Sequence, residues 1–204
     1  SIADAHYSGI IKYNEIQDNF STIVNKWYNR YVELEPVFEY LMLSYRETNS
    51  VLNSYFLFMV QAIETYHRRT HENKCIDETE YNSKVQNVIQ VIQCEDEKKW
   101  FSDMVKYSNE PNLRKRLKEL FKENLFLVQN KKNRDSLIHK VCESRNYYTH
   151  FDKSKENDAL KGQELYDATI VLKALLQACI RNSLGIERNY FEEKLKYGIP
   201  LKYR

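Results

Sequence analysis

Apolar residues recur every three or four positions along most of the chain, and this spacing is typical of amphipathic helices. Polar runs and prolines separate the periodic segments. We predict helices over residues 10–33, 37–46, 50–71, 81–93, 95–107, 111–122, 135–150, 161–183 and 190–198. The pattern therefore predicts an all-α fold.

The composition also favours helices over strands. Four glycines and three prolines are few for 204 residues, whereas strands joined by tight turns usually need more of both. With 42% hydrophobic and 29% charged residues, the chain can bury the core of one domain. We predict a single helical bundle in which residues 1–49 lead into a core of residues 50–183, followed by a short C-terminal helix within residues 184–204. Because the chain begins at Ser1 without a methionine, we expect it to be the C-terminal part of a longer protein.

The helix over residues 50–71 is apolar nearly all round, which predicts a central position in the bundle. Glu64 is its first polar exception. Since a buried carboxylate needs a cation or a donor, we expect Glu64 to have a partner. Arg68, one turn later on the same helix, and Arg145 are the two candidates.

Bulk charge and cysteine content exclude few functions. The net charge of +2 neither requires nor excludes a nucleic-acid partner. The best candidate for a surface that faces phosphates is the basic face of the helix over residues 111–122, together with Lys131, Lys132 and Arg134. The four cysteines are scattered, without a Cys-x-x-Cys pair or a secretory signal, so we expect buried thiols in a reducing cytoplasm. No apolar run reaches the length of a membrane span.

The sequence RNYYTH at positions 145–150 carries the strongest candidate chemistry. Arg145 is a permanent cation and can hold a phosphate with a bidentate fork. An imidazole such as that of His150 can transfer protons. Together these two residue types suit the cleavage of a phosphodiester.

A second match to this spacing runs from Arg134 to His139. We expect Asp135 or Ser136 to be the N-cap of a helix, so that Arg134 would flank the helix and His139 would lie in its middle.

The match from Arg145 to His150 instead falls at the far end of that helix, before the polar run at residues 152–158. There we expect the backbone to unwind and bring both side chains to one side, and we therefore prefer this match. In the alternative interpretation, Arg145 forms a salt bridge and His150 is an ordinary C-terminal helix residue stabilised by the helix dipole.

The preferred stretch resembles the Arg-(Asn/Asp/His)-x(3–5)-His motif of the HEPN superfamily, which comprises all-helical ribonucleases of prokaryotic defence and toxin systems. Asn146, the aromatic-Thr-His-aromatic ending at residues 148–151 and the segment at residues 61–69 are most similar to the C-terminal HEPN domain of ApeA-type abortive-infection proteins. The resemblance covers residues 50–183 and implies a bundle of the HEPN type.

The resemblance implies a metal-independent endoribonuclease without a cofactor. His150 would be the general base or acid, Arg145 would bind the phosphate, and Asn146 would orient the arginine or the phosphate. Glu64 or His67, from an earlier helix, would support the motif.

The expected partners follow from the same resemblance. They are RNA, with tRNA as a plausible substrate, a second copy that completes a composite active site, and an N-terminal sensor domain in the full-length protein. We further predict RNA contacts by Arg68 and Lys153. The biological role would be that of a cytoplasmic toxin in anti-phage defence.

Two other interpretations remain open, and a third, a zinc site, is one that the residues argue against. The residues could form a non-catalytic RNA- or nucleotide-binding module, or a helical protein-interaction domain. His67, His71 and Cys75 have a spacing that zinc accepts on one helix face. Arg68 stands where a zinc hydrolase would have glutamate, however, and no obvious fourth ligand follows, so we predict no metal.

Overall fold

The computed structural model describes residues 12–46 and 51–204, and among these residues the regular elements are helices without any strand. The predicted all-α fold is therefore confirmed. The helices are α1 (Tyr13–Ile16), α2 (Phe20–Arg46), α3 (Leu52–Thr70), α4 (Glu78–Val91), α5 (Glu95–Val105), α6 (Leu113–Glu123), α7 (Lys131–His150), α8 (Gly162–Ser183) and α9 (Glu192–Gly198). Short 3-10 turns lie at Gln17–Asn19, Lys153–Lys155, Arg188–Tyr190 and Leu201–Tyr203.

The N-terminal helices differ from the prediction in where they break. The predicted start at Ile10 lies outside the described residues, and a 3-10 turn separates α1 from α2. The helix then continues through Pro36, where the sequence predicted an end, and only Leu34 leaves helical geometry, with φ −110° and ψ 16°. The missing donor of the proline is therefore accommodated by a kink.

Helix α3 is central, as its apolar sequence predicts. It packs against α2, α6, α7 and α8. The buried side chains of α3 are Phe56, Met59, Val60, Ala62, Ile63, Tyr66 and His67. Burial along nearly the whole length of α8 completes the core beside it. Within residues 12–46 and 51–204, no helix combines the length and the apolar character that crossing a bilayer would require.

Helices α4 and α5 form a hairpin that stands outside this core, since neither helix has a buried residue. The side chains of Val91 and Trp100 are 76% and 64% exposed. Asn109 closes the base of the hairpin: its backbone oxygen accepts from the Cys75 N–H (2.6 Å), and its side-chain amide both accepts from and donates to the backbone of Ile76 (3.1 Å each). The two ends of the hairpin are thus held together independently of its tip.

The cysteines do not all follow the prediction of buried thiols. Cys142 and Cys179 are buried, but Cys75 and Cys94 are exposed. The difference arises because Cys75 and Cys94 belong to the hairpin and its base, where there is no core to bury them.

Candidate active site at the end of helix α7

Helix α7 carries the RNYYTH stretch at its C-terminal end. The helix begins at Lys131, and its N-cap is Asn130, whose side chain accepts a backbone N–H of the first turn. The predicted N-cap at Asp135 or Ser136 is therefore wrong. The carboxamide of Asn130 provides the cap more than a turn earlier than the predicted position.

The earlier match, from Arg134 to His139, has a structural explanation. The Nη1 of Arg134 donates to the backbone oxygens of Val128 (2.7 Å) and Gln129 (3.2 Å), which closes the turn before α7. His139 lies in the middle of the helix, and its Nδ1 contacts the Nη2 of Arg114 at 3.0 Å.

The chain after the motif is fastened back onto α7. The buried backbone N–H of Leu160 donates to the Ser144 hydroxyl (2.8 Å), and its carbonyl accepts from the Tyr148 hydroxyl (2.7 Å). Phe151, with φ 49° and ψ 37°, ends α7 in the left-handed region that non-glycine residues rarely adopt. The loop therefore leaves the helix immediately after His150 and returns to it at Leu160.

Arg145 is held by two neighbours and remains accessible. Its Nη2 donates to Glu64 Oε2 of helix α3 (3.3 Å), and its Nη1 donates to Asn146 Oδ1 (3.2 Å). The Arg145 side chain is 35% exposed, and that of Glu64 is 14% exposed. Of the two predicted partners of Glu64, the structure selects Arg145, because Arg68 pairs with Glu110 at 2.6 Å.

His150 is exposed at the last position of α7. The expectation that the backbone unwinds before this residue is wrong, since α7 stays helical through His150. At 3.6 residues per turn, five positions correspond to about 140° around the helix axis. Arg145 and His150 of one chain therefore lie on different faces of the helix.

Two open clefts meet at Arg145 and Glu64. We call the larger one, about 470 Å³ in volume, the motif cleft. Its polar lining consists of Glu64, Arg68, Tyr107, Glu110, Asn112, Arg114, Glu143, Arg145 and Asn146. The smaller cleft, about 250 Å³, has a largely apolar wall that includes Tyr40, Leu57, Phe58 and Val60. The guanidinium of Arg145 is thus accessible from two sides.

His67 belongs to a separate buried cluster. Its Nδ1 accepts from the Nη1 of Arg116 (2.9 Å), and its Nε2 lies 2.7 Å from Glu119 Oε2. Both His67 and Arg116 are 0% exposed. Burial lowers the pKa of His67, although the hydrogen bond to Glu119 opposes this effect. These contacts connect His67 to α6, and none of its described hydrogen bonds reaches Arg145.

The candidate zinc ligands are engaged in other contacts. The rings of His67 and His71 stack with centroids 4.4 Å apart. His71 contacts Glu123 through Nε2 (3.0 Å) and the Thr70 hydroxyl through Nδ1 (2.8 Å), while Cys75 is exposed. In the described part of the chain, no three or more potential ligands are arranged to hold a metal ion.

The residues predicted to contact RNA have different surroundings. Arg68 lines the motif cleft in its pair with Glu110. Lys153 is exposed in the 3-10 turn that follows the motif. On the predicted basic face, Arg116 points into the interior instead, where its Nη2 donates to Asn73 Oδ1 at 2.5 Å.

A protein-family model covers the part of the chain that contains this cleft. The model of the Apea-like HEPN family matches residues 57–190, which is more than half of the chain and includes Glu64, the motif cleft and all of α7. The chain belongs to the Apea-like HEPN family. HEPN domains are generally ribonucleases, so membership suggests a ribonuclease or defence role. Neither the curated proteins nor the solved structures contain a significant match.

This HEPN domain also brings residues to the cleft that the sequence did not single out. Tyr107 and Asn112 come from the chain that links the hairpin to α6, and Arg114 comes from the first turn of α6. The basic pattern of α6 pointed to a phosphate-facing surface, but it did not distinguish Arg114 from Arg116. The packing of α6 against α7 and α3 determines that Arg114 lies in the cleft and Arg116 in the core.

Proposed function

We propose that this HEPN domain is a metal-independent endoribonuclease that cleaves RNA through attack of a 2′-hydroxyl on the adjacent phosphate. The observation that carries the proposal is the environment of Arg145, which Glu64 and Asn146 hold in the lining of an open cleft. An exposed His150 ends the same helix. Family membership supports the same reaction class.

In this mechanism Arg145 binds the scissile phosphate. A guanidinium has five N–H donors, and two of its donor contacts are with Glu64 and Asn146. Its other N–H groups have no hydrogen-bond partner among residues 12–46 and 51–204, and they can hold two phosphate oxygens. Glu64 and Asn146 fix the orientation of the guanidinium before the substrate arrives, so that its charge already points towards the dianionic transition state.

His150 transfers the protons. As general base, His150 removes the proton of the 2′-hydroxyl, and the oxygen of this hydroxyl attacks phosphorus. An imidazole that acts as general acid protonates the departing 5′-oxygen. Such proton transfer typically contributes about 10²–10⁴-fold to a rate. The products are a 2′,3′-cyclic phosphate and a 5′-hydroxyl, and DNA resists because it lacks the attacking hydroxyl.

We further propose that the active unit is a two-fold symmetric homodimer with a composite site. One imidazole cannot easily serve as base and acid in the same step, and Arg145 and His150 of one chain lie on different faces of α7. A second motif, brought to the first by symmetry, supplies the missing groups. In the cell, a sensor domain ahead of this one would control cleavage of cytoplasmic RNA, such as tRNA, as an abortive response to phage.

A non-catalytic RNA- or nucleotide-binding module is the second candidate. The divergence of Arg145 and His150 within one chain favours it, because Arg145 alone can hold a phosphate without any proton transfer.

The deciding experiment measures cleavage of a tRNA transcript and of a DNA of the same sequence, in EDTA, by the purified protein. We expect RNA products with 2′,3′-cyclic phosphate ends and intact DNA. Arg145→Ala and His150→Ala should each lower the rate by about 10²-fold or more. His139→Ala, a change to another exposed histidine of α7, should lower it far less.

Two results would contradict the proposal. Cleavage by His150→Ala at the wild-type rate would exclude His150 from the chemistry. RNA binding by the wild-type protein without cleavage, lost mainly in Arg145→Ala, would favour the binding module.

A further inference from the structure

The carboxylates that line the motif cleft leave one of its arginines without an ion pair among residues 12–46 and 51–204. Three arginines line it, Arg68, Arg114 and Arg145. Arg68 pairs with Glu110 and Arg145 pairs with Glu64. The third lining carboxylate, Glu143, pairs with Lys155 at 2.9 Å.

Arg114 is the lining arginine without such a pair. Within residues 12–46 and 51–204, no carboxylate lies within 4.0 Å of its guanidinium, and its described contact is the imidazole Nδ1 of His139 at 3.0 Å. An arginine has no acceptor, so the His139 nitrogen accepts this hydrogen bond and does not neutralise the charge. Arg114 as a residue is half-buried, which reduces the screening of its charge by water.

The surroundings of Arg114 suit a nucleotide. Arg114 lies in the first turn of α6, whose free backbone N–H groups add partial positive charge. Tyr107 lines the same cleft with a side chain that is 69% exposed, and an exposed aromatic ring can stack on a base of any sequence. Arg114, Cys142 and Arg145 all line this cleft.

We propose that the motif cleft is a second nucleotide subsite, in which Arg114 binds the backbone phosphate next to the scissile one and Tyr107 stacks on the neighbouring base. The proposal rests on the proposed ribonuclease function, because it takes Arg145 as the ligand of the scissile phosphate. Arg114 is a substrate-binding residue here and takes no part in proton transfer.

The test measures the salt dependence of binding to a fluorescein-labelled 20-nucleotide 2′-O-methyl RNA by anisotropy. This probe keeps every phosphate and cannot be cleaved, because its 2′-oxygen is blocked. For single strands, each phosphate contact contributes about −0.7 to the slope of log K against log[salt]. We expect Arg114→Gln to weaken binding and to reduce the slope by about that amount, and Arg114→Lys to retain most of the slope.

The matched control is Lys122→Gln, in the last turn of the same helix, about 12 Å from Arg114 along its axis. Lys122 is exposed and does not line the cleft. Its substitution removes the same charge and should leave the slope unchanged. Tyr107→Ala should weaken binding about tenfold, whereas Tyr107→Phe should keep it, because stacking needs only the ring.

Equal slopes for Arg114→Gln and the wild type would overturn the subsite, as would absence of probe binding by the wild type. The ribonuclease proposal is tested separately with unmodified RNA. Probe binding with the expected slopes but no cleavage would remove the ribonuclease and keep the phosphate site. Cleavage of RNA by Arg114→Gln with an unchanged KM would keep the ribonuclease and remove the phosphate site.

Discussion

At the level of single residues, the two hydrogen bonds of His67 determine its protonation state. The guanidinium of Arg116 can only donate, so the Nδ1 of His67 must accept. The proton of the neutral ring is then on Nε2, which donates to Glu119. A second proton on Nδ1 would face the Arg116 N–H groups in a buried site. His67 is therefore neutral in the folded protein, in agreement with its lowered pKa.

This arrangement predicts a pH dependence of stability. The pKa of His67 is lowered in the folded state, so the unfolded chain binds the extra proton first as the pH falls below about 6.5. The contribution of His67 to the free energy of unfolding is therefore complete above that pH. Below it, this contribution decreases by at most about 1.4 kcal/mol per pH unit. In thermal unfolding, His67→Gln should be less stable than the wild type at pH 8, and the difference should narrow towards pH 5.5.

Glutamine is a suitable replacement because its amide can donate to Glu119 but does not titrate in this range. Other titrating groups affect the wild type and the variant alike and cancel in the difference. A difference in unfolding midpoint that stays constant from pH 8 to pH 5.5 would contradict the neutral assignment.

Two residues show where sequence patterns stop being informative. The need of Glu64 for a partner followed from its position on an apolar helix, but the choice between Arg68 and Arg145 did not. Glu110, a residue distant in sequence, binds Arg68 and leaves Glu64 to Arg145. Arg116 was assigned to a basic outer face because charged side chains usually lie on the surface. In the structure it is buried, and its hydrogen bonds to His67 and Asn73 make this burial tolerable.

At the level of elements, apolar periodicity predicted the helices well and their ends less well. The central position of α3 followed from its composition, and Gly185, just after the end of α8, has the positive φ (76°) that commonly ends a helix. The kink at Leu34 and the early start of α7 were not predicted, because in each case the local sequence allows two conformations of similar energy. Pro36 can kink a helix or end it, and Asn130 and Asp135 are equally good caps.

The α4–α5 hairpin makes the clearest prediction at this scale. Because neither helix has a buried residue, replacing residues 78–105 by a short Gly-Ser linker should cost little core energy. The contacts of Asn109 with Cys75 and Ile76 keep the two ends together. We expect the thermal midpoint to fall by no more than about 5 °C, which corresponds to roughly 1 to 2 kcal/mol for a domain of this size.

A control deletion should behave differently. Removing helix α8 (Gly162–Ser183) takes away buried side chains such as Leu172 and Leu175, and should prevent cooperative unfolding altogether. If loss of the hairpin also abolished the cooperative transition, its helices would have to stabilise the core through contacts other than burial.

At the level of the whole molecule, the placement of the motif bears on how many chains build one active site. Helix α7 stays regular from Arg145 to His150, so the two side chains diverge, and the αL geometry of Phe151 turns the chain away directly afterwards. Both residues are nevertheless accessible, Arg145 from two clefts and His150 at the helix end. A two-fold axis near this end would bring Arg145 of one chain towards His150 of the other.

Mixed dimers test this arrangement. Chains carrying Arg145→Ala and His150→Ala, with different affinity tags, are co-expressed, and the dimers that hold both tags are purified. Such a dimer keeps one Arg145 and one His150, on different chains.

The matched control pairs an unmodified chain with a chain carrying both substitutions, so that the same two residues stay on one chain. Because the side chains diverge along one helix, we expect the mixed dimer to cleave RNA faster than the control and far faster than either single-variant homodimer. Faster cleavage by the control would mean that each chain builds its own site, and the proposed composite arrangement would be wrong.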